Sequence, residues 1–154
     1  MAFTVLTVSK FIASLSIPGV TILDFDTLQN EFDSRLFPLL APDLFTPIAV
    51  QSVKRDSYGD GTTAKQTIMY TLPYTLACFQ QGEGRGLQDI VPELLAATSD
   101  VMTAIVKHDT PGDLEVDLTI LTAQINTTVN DPNGTGYHGS KLVLLVKEFV
   151  EGVI

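Results

Sequence analysis

The strongest pattern in the chain is an alternation of apolar and other residues along TIMYTLPYTLACF, residues 67–79. A period of two is typical of a β-strand, because successive side chains point to opposite faces of a sheet. Pro73 has no amide hydrogen, so the strand is predicted to lie at a sheet edge, or at least to turn Pro73 away from the hydrogen-bonded ladder. The alternating apolar residues are Ile68, Tyr70, Leu72, Tyr74, Leu76 and Cys78.

Three other segments have strand patterns. Residues 46–55 predict a strand, and the following RDSYGDGTTAK has the Gly, Asp and Ser content of a hairpin loop. Residues 114–120 alternate apolar side chains with acidic residues and Thr, which predicts one buried and one exposed face. The segment KLVLLVKEFV, residues 141–150, is apolar on both faces through Val146, as expected of an interior strand.

Two segments have the helical period of three to four residues. The first covers residues 25–39, with Asp24 or Asp26 as its N-cap and Pro38 at its end. It carries a single apolar face, which predicts that it packs against the sheet. The apolar positions are Phe25, Leu28, Phe32, Leu36 and Leu39.

The second helical segment runs from Leu87 to Val106. Pro92 belongs near its start, with Asp89 as a candidate cap, because a proline deeper in the helix would remove a backbone hydrogen bond. The sequence HDTPGD ends the segment. His108 then lies at the helix C-terminus, where a cation is favourable for the helix dipole.

Two other parts of the chain have no strand or helix pattern. Residues 126–140 carry no periodic signal, and a loop of this length is usually functional or ordered by a partner. We therefore expect a deletion within residues 126–140 to weaken contacts between this chain and other chains and to leave folding unchanged. The N-terminus is apolar but has no cationic region, and Lys10 interrupts the apolar run, so we interpret residues 1–18 as a structural arm rather than a signal peptide.

Together these elements predict an α+β protein with an N-terminal arm (1–18) and a single domain (19–154). The domain is expected to contain one antiparallel or mixed four-stranded sheet with two helices packed on it, in the order arm-α-β-β-α-β-β. A chain of 154 residues can bury a core without a metal or a disulfide. The single cysteine, Cys78, is predicted to be a small buried hydrophobe rather than a nucleophile.

The charge balance limits the classes of partner. The chain has 18 acidic and 9 basic residues, a net charge of −9 and an isoelectric point near 4.4. Such a surface repels phosphate groups, so the protein is not expected to bind DNA or anionic membranes. An acidic channel, by contrast, lets DNA pass without sticking.

The glycines of GEGRGL, residues 82–87, raise the question of a phosphate-binding loop. Their spacing fits neither the Walker loop, which needs a following Lys and Ser or Thr, nor the dinucleotide fingerprint, which needs a Gly where Leu87 stands. The segment is therefore predicted to be a turn from the strand into the second helix. Arg85 remains a candidate for pairing with an anion or with a neighbour's carboxylate.

Other chemistry has weaker signals. His108 and His138 are the only histidines, and with one cysteine they cannot form a zinc site of the usual kind. His138, beside Tyr137, is the better candidate for an exposed contact or a general base, but no serine nucleophile motif accompanies it. We predict no catalytic residue, no cofactor and no metal ligand.

The element order and four local sequences resemble the tail terminator, or tail completion, proteins of long-tailed bacteriophages. The sequences are the hairpin VKRDSYGDGTTAKQTIMYTLPYTL, the GRGL turn, the helix that follows it, and the closing GTGYHGSKLVLLVKEFV. The resemblance covers roughly residues 20–150. It implies a sheet with helices packed on it and no catalytic activity.

The resemblance further implies a virion structural protein of the tail and neck, assembled in the host cytoplasm as a hexameric ring. The ring would cap the tail tube protein, stop its polymerisation, and present a surface to the head connector or stopper protein, while DNA passes through the bore without specific binding. The arm would embrace a neighbouring subunit or pack on its own sheet. Candidate subunit and ring contacts are Arg55, Asp56, Tyr58, Asp60, Arg85, Asn133, Tyr137 and His138.

Two alternatives stay open from the sequence. A head-closure or connector-adaptor protein of the same neck has a similar size. A small-ligand-binding domain or enzyme would use the cleft between helix and sheet, with His138 or Arg85 at its site.

Overall fold

The computed structural model describes residues 5–57, 63–81, 86–108 and 116–153. In these residues two α-helices and a mixed six-stranded sheet form the fold, which confirms the α+β class and corrects the predicted number of four strands. The elements are α1 (Val5–Ala13), β1 (Thr21–Ile22), a 3-10 turn (Ser34–Leu36), β2 (Leu39–Pro42), β3 (Val50–Ser57), β4 (Thr63–Gln80), α2 (Leu87–Lys107), β5 (Val116–Asn130) and β6 (Gly136–Val153).

The sheet is built around a long central pair of strands. Strands β4 and β6 each have 18 residues and run antiparallel along almost their whole length. The strand order is β1-β2-β4-β6-β5, and β3 also pairs with β4. Because β6 occupies one side of β4, β2 and β3 share its other side, one after the other. Strand β6 is therefore interior, as predicted, and β5 and β3 lie at opposite edges of the sheet.

Pro73 lies in the interior strand β4, at the gap between β2 and β3. Strand β2 ends at Pro42, and β3 begins at Val50. The Asp43 amide donates to the Pro73 carbonyl oxygen at 3.0 Å, so the backbone of Pro73 faces this gap and not β6. Of the two predicted solutions for this proline, the edge strand is wrong, and the position turned away from the β4–β6 ladder is confirmed.

Both α-helices pack on the same face of the sheet, which we call the helix face. Tyr74 of β4 donates its hydroxyl hydrogen to Ser9 Oγ of α1 at 3.2 Å, and the Thr98 hydroxyl of α2 is 2.8 Å from that of Ser140 on β6. The arm thus includes α1, and α1 packs on the protein's own sheet, the second of its two predicted options. The buried apolar residues of this cluster include Val8, Ile12, Tyr70, Leu72, Tyr74, Leu76, Leu94, Val101, Ile105, Leu118, Leu142, Leu144 and Val146.

The predicted helix at residues 25–39 is wrong. Asp24 Oδ1 accepts hydrogen bonds from the amides of Asp26 and Thr27, at 2.8 and 2.9 Å, and Asp33 caps the 3-10 turn. These side chains give the backbone an alternative to helical hydrogen bonds. The apolar residues of the segment are nevertheless used, since it covers one end of the sheet's second face. The cluster there contains Leu23, Phe32, Leu39, Ala41, Ala77, Val129 and Tyr137.

The predicted loop at residues 126–140 is also wrong, because β5 and β6 extend into it and leave only residues 131–135 as a turn. Two register shifts in the β5–β6 pair, around Leu121 and Asn126, disturb the period-two pattern that would have indicated a long strand. Val129, Asp131 and Tyr137 are buried in this hairpin. A deletion there would remove buried residues and is expected to impair folding, contrary to the expectation from the sequence.

Helix α2 is confirmed, with one correction at its start. Its N-cap is Gly86, and Asp89 lies in the first turn instead of at the cap. Gly86 has a φ of −78°, which any residue adopts, so the backbone freedom of glycine is not needed there. The C-cap is His108, as predicted. Residues 82–85 of the GEGRGL segment lie outside the described residues.

Candidate interaction surfaces

The residues predicted to make contacts are scattered over the fold. Tyr58, Asp60 and Arg85 lie outside the described residues, and Arg55 and Asp56 are placed only by the backbone of β3. The side chains that would test the hairpin and turn predictions are therefore not described. The other three candidates, Asn133, Tyr137 and His138, lie in or beside the β5–β6 turn.

Tyr137 and His138 point to opposite faces of the sheet, because they are consecutive residues of β6. Tyr137 is only 4% exposed and packs on Phe32 and Phe37, with ring centroids 5.7 and 5.2 Å away. Its burial, together with its hydrogen bond to Asp131, raises the pKa of its hydroxyl to about 12. Tyr137 thus belongs to a core, contrary to the expectation of an exposed contact, whereas His138 is half-buried and Asn133 is exposed.

Asp131 organises the β5–β6 turn and is itself fully buried. Its Oδ2 accepts hydrogen bonds from the Tyr137 hydroxyl at 2.9 Å and the Phe32 amide at 3.3 Å, and its Oδ1 accepts one from the Thr135 amide at 3.0 Å. The Asn133 amide adds a bond to the Asn30 carbonyl at 3.1 Å. The turn is therefore tied to the segment that covers the second face, which is a structural role.

Three features bear on possible chemistry in the described part of the chain. Burial raises the pKa of the Cys78 thiol to about 12, so the thiolate nucleophile is suppressed. No group of three or more His, Cys, Asp or Glu residues is placed to hold a metal ion among the residues described. A cavity of about 340 Å³ has a mixed polar and apolar wall that includes Asp100, Lys107 and the helix C-cap His108, and His138 does not line it. No helix within the described ranges is both long and apolar enough to span a bilayer.

One exposed apolar surface is a groove between α2 and β5. The groove has a volume of about 680 Å³. Leu95 and Val106 of α2 are 48% and 62% exposed, and Ile125 of β5 is 38% exposed. A helix normally buries one apolar stripe, and α2 already does so with Leu94 and Ile105. The groove, which we call the α2–β5 groove, is lined by Leu95, Ser99, Met102, Thr103, Val106, Lys107 and Ile125.

Another group of exposed apolar side chains lies at the opposite edge of the sheet, in residues 44–53. Phe45, in the loop that precedes β3, is 59% exposed, and Val53, in β3, is 58% exposed. These side chains are close in sequence and exposed, and exposed large apolar side chains are typical of protein contact sites where they cluster. We call this group the 44–53 surface; it comprises Leu44, Phe45, Ile48, Val50 and Val53.

Each of these surfaces adjoins an open strand edge. In the described residues, β5 pairs on one side with β6 and β3 pairs on one side with β4, and neither has a partner strand on its outer side. From Leu118 to Asn130 strand β5 has no Lys, Arg, Asp or Glu, although charge is a common protection of an exposed edge. The uncharged stretch is visible in the sequence, but the alternating pattern predicts a strand only as far as Ile120. The sequence pattern alone therefore did not indicate an uncharged edge strand here.

Comparison with known proteins adds no family to this description. No protein-family model matches the chain, and no curated protein matches it.

Proposed function

We propose that the chain is the subunit of a ring that closes the head-proximal end of a phage tail, as a tail terminator does. It would act by binding alone: to copies of itself, to the last ring of the tail tube protein, and to the head connector or stopper protein. DNA would pass through its bore. The virion neck is then its place of action.

The observation that carries this proposal is the pair of different apolar surfaces at opposite edges of one sheet. A ring needs head-to-tail contacts, in which one patch of a subunit meets a different patch of the next. The α2–β5 groove and the 44–53 surface are two such patches on one chain. A two-fold dimer, by contrast, would need only one self-complementary patch.

The charge of the chain also supports a neck position. A net charge of −9 does not suit a protein that must hold DNA, but it suits the wall of a channel through which DNA slides. The buried thiol and the structural role of Asp131 and Tyr137 leave binding as the chemistry that the described surfaces support best.

Native mass spectrometry and negative-stain microscopy of the purified full chain test the proposal. We expect a closed ring, hexameric if the protein is a terminator, whose particles attach to tail tubes. A twelve-membered ring that attaches to heads instead would favour the connector-adaptor alternative. A monomer at every concentration would exclude a ring-forming subunit and favour a ligand-binding domain.

A further inference from the structure

We propose that neighbouring copies join by pairing the outer edge of β5 in one copy with the outer edge of β3 in the next, so that one sheet runs through the assembly. The inference rests on the head-to-tail ring proposed above and specifies its contact. The occupant of the β5 edge and of the α2–β5 groove is therefore a second copy of this chain.

The strand directions fit this junction. The pairs β3–β4, β4–β6 and β6–β5 are all antiparallel, so directions alternate from one edge of the sheet to the other. In a cyclic ring every subunit has the same orientation relative to the ring axis, so strands that run at a fixed tilt to that axis keep their direction from copy to copy. The β3 strand of the next copy then runs antiparallel to β5, and the alternation continues without a break.

A bulge in β3 determines which of its side chains lie on the helix face, and hence which could contact the α2–β5 groove of a neighbouring copy. Gln51 is an extra residue in β3, since Val50 pairs with Tyr70 and Ser52 pairs with Met69. Val50 and Val53 therefore both lie on the helix face, like Tyr70 and Ile68 opposite them.

A similar bulge shapes β5. Leu121 is the extra residue there, since Ile120 pairs with Leu144 and Thr122 pairs with Val143. As a result Ile125, which lines the groove, lies on the helix face together with Ile120. Both edge strands thus present apolar side chains to the same face at their outer edges.

The faces restrict the register. If the helix faces of two copies are to be continuous, Val53 must lie opposite a helix-face residue of β5, and of these residues Ile125 is the one that lines the groove. Within one copy Val53 is level with Val116 across the sheet, so this register offsets neighbouring copies along the strands and tilts the strands relative to the ring axis. Opposite Ile125, Val53 forms an apolar cross-strand pair and extends the wall of the groove next to Val106. The resulting contact covers two side chains that are 58% and 38% exposed in the isolated chain.

Charge also favours β5 as the place of contact. Two copies of a chain with a net charge of −9 repel each other over most of their surfaces. The stretch from Leu118 to Asn130 carries no charged residue, so a second copy approaches it without a like charge directly opposite. A β5–β5 pair of two copies would use the same stretch, but it would close at two subunits and leave the 44–53 surface exposed.

Disulfide trapping tests the junction in the full chain. The double variant Val53→Cys/Ile125→Cys places one cysteine on each edge, and cross-strand neighbours of this kind lie within disulfide reach. The native Cys78 is buried and does not compete. The matched control is Val53→Cys/Gln124→Cys, whose second cysteine is one residue away and on the opposite face. Mild oxidation followed by non-reducing electrophoresis gives the readout.

We expect the double variant to give a ladder of cross-linked species up to the ring size, with roughly ten-fold more product than the control, because disulfide geometry is strict. Dimers from Ile125→Cys alone would show a β5–β5 contact and overturn the proposal. A native ring without the ladder would overturn the β5–β3 junction and leave the ring function standing. A monomer at all concentrations would overturn both.

A charge variant provides a second readout that does not depend on oxidation. Ile125→Lys puts a charge into the uncharged edge and the groove, so we expect it to dissociate the ring while the thermal unfolding of the subunit is preserved. Ala96→Lys, on an exposed position of α2 outside the groove, is the control and should assemble normally. Equal assembly of the two variants would contradict the junction.

Discussion

At the residue scale, Asp131 has a structural role at the β5–β6 turn. A fully buried carboxylate is costly unless its oxygens accept hydrogen bonds, and Asp131 accepts three, from Phe32, Thr135 and Tyr137. These bonds join the β5–β6 turn to a segment about a hundred residues earlier. The sequence DPNG had indicated only a turn, because its long-range partners cannot be seen from local spacing.

We expect Asp131→Ala to lower the free energy of unfolding by about 3 kcal/mol, because it leaves buried amide and hydroxyl donors without an acceptor. Asp131→Asn keeps one acceptor oxygen and should lose less. Urea unfolding at neutral pH measures both changes. Asn133→Ala, two residues away and exposed, is the control and should change stability little. Equal effects of Asp131→Ala and the control would contradict the role of the buried carboxylate.

The raised pKa of Tyr137 predicts that the free energy of unfolding decreases in alkaline solution. Its pKa is raised to about 12 in the folded state, against about 10 for an unfolded tyrosine, because the fold favours the neutral hydroxyl. Its contribution to stability is thus complete below pH 10 and is lost as the pH rises towards 12. Tyr137→Phe should be less stable than the parent at pH 7, and the gap should narrow between pH 10 and 12. A gap that stays constant over this range would refute the prediction.

At the scale of elements, Gly139 lies where β6 comes very close to the backbone of β4. A Cβ atom on this residue would overlap the carbonyl oxygen of Leu76, which belongs to backbone and cannot move aside cheaply. The approach coincides with the bulge between Ala77 and Phe79, where the register of the central pair shifts. The two longest strands therefore depend on a glycine here for space rather than for its backbone angles.

We expect Gly139→Ala to destabilise the fold by about 3 kcal/mol, at the upper end of the range for overpacked sites. Gly86→Ser is the control, because open space surrounds Gly86 and serine is a good N-cap for α2. The control should unfold at the same urea concentration as the parent or slightly higher. If Gly139→Ala unfolds together with the control, the strands can adjust their spacing and the prediction is wrong.

Elements with an undisturbed period could be predicted from sequence, and the others could not. Strand β4 alternates through its whole middle, and α2 has a clear apolar stripe, so both were found. Residues 25–39 have helical spacing, but Asp24 and Asp33 form local hydrogen bonds that a helix would exclude. The predicted strand at residues 114–120 is shorter than β5, because the two bulges of β5 change the parity of the alternating pattern. The α2–β5 groove follows only from tertiary packing.

At the scale of the whole molecule, charge predicts how the protein behaves towards DNA. With a net charge of −9, the isolated chain should not retard double-stranded DNA in a gel at a salt concentration of about 0.1 M. A basic DNA-binding protein at the same concentration is the positive control. Retardation that persists at this salt concentration would contradict the channel interpretation.

The gap at Pro73 divides one flank of the sheet into two parts that open separately. Since Pro73 offers no hydrogen to that side, the bonds between β3 and β4 can break without disturbing those between β2 and β4. Because β3 lies at an edge and β2 lies between β1 and β4, amide hydrogens of β3 that bond to β4 should exchange with solvent faster than those of β2. Hydrogen-exchange mass spectrometry measures both rates. Equal rates would mean that the flank opens as one unit. A strand that opens alone can adjust to a neighbouring copy while the core keeps its shape.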